Sequence, residues 1–169
     1  MHFTENSKEI TRMTATKKIA YSGVVMALYV VLMFLTQNFA FGQYQIRIAT
    51  GLYALAFQFP FLVIPLGLAN MLSNLLIGGL GIFDIVGGLL IGLITSGGVV
   101  LLRKMTNNAW VIPLPIAICP AVIVPIWLSS ILNIPYVYLV LSLLVGQVIS
   151  AYTLGLFIIK SKWIARLVK

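Results

Sequence analysis

From Ile19 to Ile159 the chain carries only four ionised side chains: Arg47, Asp84, Arg103 and Lys104. Residues 48–102 are interrupted only by Asp84, and residues 105–159 by no charge at all. At about 20 apolar residues per membrane-spanning helix, the first stretch holds two or three spans and the second two. Hydrophobic residues make up 61% of the chain and charged ones 8%. A soluble domain dissolves behind a surface to which roughly a quarter of its residues contribute charge, so the solvent of this chain is lipid. The formal net charge of +8 does not indicate nucleic acid, because the basic residues cluster at the ends of apolar runs. That is where the positive-inside rule puts them, and no basic helix or basic–aromatic alternation is present to grip a phosphate backbone.

The same basic residues set the number of spans. With one span before Arg47, three more are needed to return Arg103 and Lys104 to the side of Lys17 and Lys18. Two further spans then bring Lys160, Lys162, Arg166 and Lys169 to that side as well. The reading is an all-α integral membrane protein of six transmembrane helices, multi-pass in the cell membrane, with both termini cytoplasmic. Ten of the eleven Lys and Arg are then cytoplasmic, with Arg47 the exception. Expected spans are 19–36, 46–60, 63–79, 83–102, 110–131 and 136–159. Their breaks fall at Pro60 to Pro65, at Gly78-Gly79-Leu80-Gly81 and at Asn133-Ile134-Pro135. The second is short, and so tilted or partly covered by protein. Residues 1–16 read as a polar cytoplasmic tail, 17–162 as the membrane domain and 163–169 as a basic tail.

Several classes of chemistry are disfavoured. Cys119 is the only cysteine and lies in an apolar run, where it reads as a small buried side chain. The only histidine, His2, is in the polar tail, so neither a catalytic triad nor a histidine metal site is expected. No cluster of His, Asp, Glu and Cys marks a reaction centre, no ATP-binding motif is present, and no cofactor is expected. Lys17 and Lys18 before Ile19–Leu35 resemble a signal peptide, but the apolar run is too long and lacks a clean cleavage site. It reads as an uncleaved first span.

In lipid the informative residues are those that the bilayer penalises. A charge at mid-membrane costs on the order of 2.5–3.5 kcal/mol, so it has a partner or a task. Arg47 and Asp84 fall at the outer ends of spans. They either pair with each other or face an outward-opening cavity that binds solute. Asn70, Ser73 and Asn74 share one face of the third span with Gly67 and Gly78; this stripe is interhelical packing or, at Asn74, ligand binding. Gln147, beside Gly146 and Ser150, needs a helix partner or a ligand. Gly88, Gly92 and Ser96 form a small-residue stripe on the fourth span, and Gly23 and Ala27 another on the first, facing either a neighbouring helix or a partner protein. Trp127, Tyr136 and Tyr138 are interfacial belt residues or a stacking wall for a flat ligand. The sum is a small helical bundle with a polar pocket toward the outer face and no engine of its own.

The segments Gln45-Ile46-Arg47-Ile48, Leu72-Ser73-Asn74-Leu75-Leu76 and Phe83-Asp84-Ile85-Val86-Gly87-Gly88 resemble the QueT family of substrate-binding S components of energy-coupling factor transporters. The string Leu28-Tyr29-Val30-Val31-Leu32, the segment Pro113-Leu114-Pro115, and the Gly146-centred span ending near Tyr152 and Gly155 fit the same pattern. The likeness covers about residues 19–159. It implies a six-helix protein that captures a micronutrient outside and delivers it by toppling against a transmembrane coupling subunit driven by two ATPase subunits. The family's small-residue coupling contact would map onto Gly23 and Ala27. The associated solutes are queuosine precursors, which are 7-deazaguanines, and their adjacent N–H donors suit a carboxylate such as Asp84, with Asn74 reading the carbonyl or N3 side. Substrate contacts are thus expected at Arg47, Asn74, Asp84, Gln147 and Trp127. The chain departs from the family pattern where Thr50 and Gln147 stand in place of acids, which implies a less basic or different ligand. Competing readings are an S component for another vitamin and a self-sufficient facilitator of small solutes.

Overall fold

The computed structural model describes residues 13–40, 46–77, 80–106, 108–161 and 164, and its described regular elements are all helical. Helix α1 (Ala15–Leu35) begins where the Thr14 hydroxyl accepts the Lys17 N–H, and it ends where Thr36 bonds back to the Leu32 carbonyl at 2.6 Å. It starts two residues inside the predicted polar tail. A single turn, α2 (Gln37–Ala40), follows. The chain resumes as a 3₁₀ segment, Ile48–Ala54, that passes into α3 (Leu55–Gln58). A 3₁₀ turn at Pro60–Leu62 starts α4 (Val63–Ile77), and α5 (Ile82–Met105) follows from Gly81, whose φ of 91° only glycine adopts readily. Then come α6 (Leu114–Ile123), α7 (Pro125–Leu132), α8 (Tyr136–Ser150), a π-helical turn at Ala151–Gly155, and α9 (Leu156–Lys160).

Five of these stretches are long and apolar enough to cross a membrane: Ala15–Leu35, Pro60–Ile77, Ile82–Met105, Leu114–Leu132 and Tyr136–Lys160. The expected span at 46–60 is the shorter apolar segment Ile48–Gln58. Mixed 3₁₀ and α geometry gives it a length of about 20 Å, against a hydrocarbon core of about 30 Å. The expected break at Asn133-Ile134-Pro135 is present, with Asn133 left-handed at φ 54°. The break at Gly78-Gly79, residues 1–12 of the polar tail, His2, Lys162, Arg166 and Lys169 lie outside the described residues.

Burial is inverted relative to a water-soluble protein. Ile19, Val24 and Leu35 are about 70% exposed, whereas Arg47, Asp84, Asn70, Asn74 and Gln147 are buried. An apolar exterior around a polar interior is stable only in hydrocarbon.

The polar groups inside bind elements together. Asn70 Nδ2 donates to the Gly88 carbonyl at 2.9 Å, and Asn74 Nδ2 to the Asp84 carbonyl at 2.8 Å, so α4 holds α5 through two side-chain bonds one turn apart. Between the same helices, a β-carbon on Gly92 would sit 2.6 Å from Gly67 Cα, so backbone meets backbone there. The expected Gly88–Gly92–Ser96 stripe thus serves internal packing. Tyr29 of α1 and Tyr53 of the 3₁₀ segment are fully buried with hydroxyls 3.1 Å apart, joining the first helix to the short one. At the opposite end of the bundle from Asp84, Arg103 donates to the Phe57 carbonyl at 2.6 Å. Gln58 donates there to the carbonyls of Ile158 and Ser161. Lys160 lies 4.2 Å above the Trp110 ring, which stacks on Tyr152.

Gly92→Ala should therefore force α4 and α5 apart and cost about 1–3 kcal/mol, as overpacking does. Gly97→Ala, where a β-carbon meets nothing within 4 Å, serves as the control. Thermal unfolding in detergent checks this, and equal melting temperatures for the two variants would refute the close contact.

Candidate solute-binding site

One cavity gathers the polar residues at the Asp84 end of the bundle. Its polar wall is Arg47, Thr50, Asn70, Asn74, Asp84 and Gln147; its apolar wall is Gly88, Ile91, Pro120, Val124, Trp127 and Leu143. The walls come from the 3₁₀ segment and from α4, α5, α6, α7 and α8, with Val124 at the α6–α7 junction. Convergence of this many elements on a few polar groups with an apolar plate opposite is the architecture of a small-molecule site.

Asp84 sits in the first turn of α5, where the helix dipole favours its charge. Its Oδ2 accepts the Leu80 N–H at 3.3 Å and its Oδ1 the Trp127 indole N–H at 3.4 Å. Both bonds are long for charge-assisted ones, which run about 2.7–2.9 Å. Arg47 donates from Nε to the Ala40 carbonyl and from Nη1 to Asn74 Oδ1, each at 3.4 Å. Asn74 stands between the two charged residues, accepting from Arg47 and donating to the Asp84 backbone. A carboxamide has two donor hydrogens and two acceptor lone pairs, so Asn74 keeps one of each for a further partner.

At the other side of the cavity, Thr50 Oγ1 lies 2.7 Å from the Arg47 carbonyl and 2.9 Å from the Gln147 carboxamide. The hydroxyl has a single proton, which the Arg47 carbonyl takes. The atom at 2.9 Å is Gln147 Oε1, so with the hydroxyl proton on the Arg47 carbonyl this contact is satisfied only when the carboxamide's oxygen and nitrogen exchange places. The π-helical turn begins four residues after Gln147, and such turns commonly accompany functional positions.

Trp127 packs against α5 at Gly87. A β-carbon on Gly87 would be 2.6 Å from its ring, so glycine there is what admits the indole. The space enclosed is about 10 Å³, room for roughly one water, against about 300 Å³ or more for a small-molecule pocket.

All five expected substrate contacts, Arg47, Asn74, Asp84, Gln147 and Trp127, line this one cavity. Asn70 also lines it while bonding α4 to α5. The expected coupling residues Gly23 and Ala27 are elsewhere, exposed on α1, with open space beside Gly23. Tyr136 and Tyr138 are not among the lining residues; Tyr136 donates to the Val122 carbonyl at 2.9 Å. Sequence reasoning missed Ile91, Pro120, Val124 and Leu143, since an apolar cavity wall and a lipid-facing surface use the same residues. Proximity of Pro120 and Pro125 was the available signal for a weakened helix beside the site. Among the described residues no group of His, Cys, Asp and Glu is arranged to hold a metal.

Asn74→Ala should loosen Arg47 and Asp84 together and cost roughly 0.6–1.7 kcal/mol, the range for a membrane-buried side-chain bond. Thermal unfolding of the detergent-solubilised protein measures it, and no change would mean that Asn74 does not hold the two residues.

No curated protein and no solved structure matches the chain. The family model described as QueT transporter matches residues 19–162, nearly the entire helical part. The chain therefore belongs to the QueT transporter family, a family of S components of energy-coupling factor transporters.

Proposed function

We propose that this protein is the substrate-capturing S component of an ATP-driven importer, and that its cavity receives a queuosine precursor, a 7-deazaguanine, from the outer face. The observation that carries the reading is the convergence of Asp84, Asn74, Arg47 and Gln147 on one cavity with Trp127 opposite. A deazaguanine presents adjacent N–H donors, which the Asp84 carboxylate accepts together, and a carbonyl, which the free amide hydrogen of Asn74 satisfies. The ring lies against Ile91 and Leu143 of the apolar wall. Thr50 and Gln147 give that side of the site neutral polar groups, which favours a ligand without a cationic arm.

In this reading the chain crosses the bilayer six times, with Ile48–Gln58 as a short second crossing completed by its neighbours. Arg103, Lys104 and Lys160 then mark the cytoplasmic end with both termini. ATP hydrolysis belongs to two separate ATPase subunits, reached through a membrane coupling subunit that docks on α1 at Gly23 and Ala27.

Thermal-shift measurements on purified protein should show stabilisation by 7-deazaguanines and not by riboflavin, thiamine, biotin, pyridoxine or pantothenate. Stabilisation by one of these vitamins alone would overturn the substrate. Solute flux through liposomes containing this chain alone would instead establish a self-sufficient facilitator. Asp84→Asn should weaken deazaguanine binding about 10- to 100-fold, the worth of a charge-assisted bond of roughly 1.5–3 kcal/mol. Its stability should fall far less; equal losses would make Asp84 a structural residue. Gly23→Leu should abolish co-purification with the coupling subunit while leaving deazaguanine binding intact, and an undisturbed complex would exclude this face of α1.

A further inference from the structure

One wall of the cavity is an indole bonded to its carboxylate. Trp127 sits on α7, which continues from α6 through Val124, whose backbone is still α-helical at φ −57° and ψ −42°, into Pro125. Pro125 has no N–H to give the Ala121 carbonyl, and Pro120 has none to give Ile116, so the span is weakest just where α7 begins. The ladder across this junction continues through Val124 N–H to the Pro120 carbonyl at 3.1 Å and Leu128 N–H to the Val124 carbonyl at 3.2 Å. The Tyr136 hydroxyl anchors the α6 side of the junction at the Val122 carbonyl. At its far end α7 stops at left-handed Asn133. What α7 contributes to the cavity is an indole, seated in the gap that Gly87 leaves and donating to Asp84 at 3.4 Å.

We infer that Trp127 is an internal stand-in for the substrate: its N–H holds the buried Asp84 carboxylate in the closed site, and an entering solute with an N–H donor of its own takes that bond while α7 swings outward at Val124–Pro125. The inference rests on the proposed solute-binding role of the cavity. The chemistry explains the arrangement in three respects. A carboxylate buried in a membrane protein needs donors when no solute supplies them, or it carries the full cost of desolvation. A neutral N–H provides a donor without the tight grip of a second charge, and at 3.4 Å the bond is weak enough to exchange. The exchange also selects. A solute offering only acceptors at this position cannot replace the indole, so Trp127 discriminates in favour of donor-bearing heterocycles.

The test uses the full-length protein with ¹⁵N-labelled indoles, the Trp127 signal being assigned by its loss in Trp127→Phe. In ligand-free protein, Asp84→Ala should shift the Trp127 indole N–H resonance toward that of an unbonded indole. Gly87→Ala, which leaves the carboxylate in place but pushes the ring off α5, should shift it in the same direction. Addition of 7-deazaguanine to the unmodified protein should reproduce the shift, and Trp127→Phe should bind 7-deazaguanine roughly threefold more tightly, since one modest bond no longer competes. A Trp127 signal indifferent to both substitutions overturns the inference, as does weaker binding by Trp127→Phe. If 7-deazaguanine fails to bind while both substitutions release the indole, the latch stands and the substrate assignment falls. If 7-deazaguanine binds and the indole stays bonded, the substrate assignment stands and the latch falls.

Discussion

Two asparagines on one face of α4 donate to backbone carbonyls of α5, and much of the site depends on that pair of bonds. In hydrocarbon, helices have no hydrophobic force driving them together, so close packing and side-chain bonds must do it. The Asn70 and Asn74 amides fix the register of α4 against α5, and Gly92 against Gly67 fixes their separation. With α5 so placed, Asp84 and Gly88 face inward. The oxygen of Asn74 is then positioned to receive Arg47 from a different element. One residue type thereby performs two tasks: it cements the bundle and supplies the centre of the polar wall.

The remaining walls are made by departures from regular α-helix. Ile48–Ala54 is 3₁₀, Ala151–Gly155 is π, and the span from Leu114 to Leu132 loses helix hydrogen bonds at Pro120 and Pro125. Irregular backbone at membrane depth is tolerated where protein covers it or where it lines a cavity. Here it serves the cavity. The 3₁₀ segment brings Arg47 and Thr50 to its polar side, the π turn follows directly on the helix that carries Gln147, and Trp127 lies two residues beyond Pro125. A bundle of straight helices would offer these residues a more uniform, less indented interior.

The polar members of the site were legible in the sequence because lipid makes them costly. Arg47, Asp84, Asn74 and Gln147 are conspicuous against apolar neighbours, and a conspicuous polar residue in a membrane chain has a partner or a task. Trp127 was ambiguous between belt and wall, since an indole suits both places. Ile91, Val124 and Leu143 were illegible: a residue that faces a cavity and one that faces an acyl chain meet the same apolar requirement. That the second apolar segment is short was expected, but its 3₁₀ geometry was not, since nothing in Ile48-Ala49-Thr50-Gly51-Leu52 distinguishes three residues per turn from 3.6.

What the sequence alone determined is the solvent and the inventory: a chain with so few charges folds in lipid as helices, and its few polar groups among apolar neighbours are the vocabulary from which its interior is joined. Tertiary structure decided how that vocabulary is joined. It placed Asn74 between Arg47 and Asp84, set Thr50 against Gln147 across 97 positions of chain, and laid the Trp127 indole on Asp84. The physical reason is range. Hydropathy and charge act residue by residue and can be read in order, whereas a hydrogen bond in the bundle depends on helix register, crossing and backbone irregularity, which only the packed chain fixes.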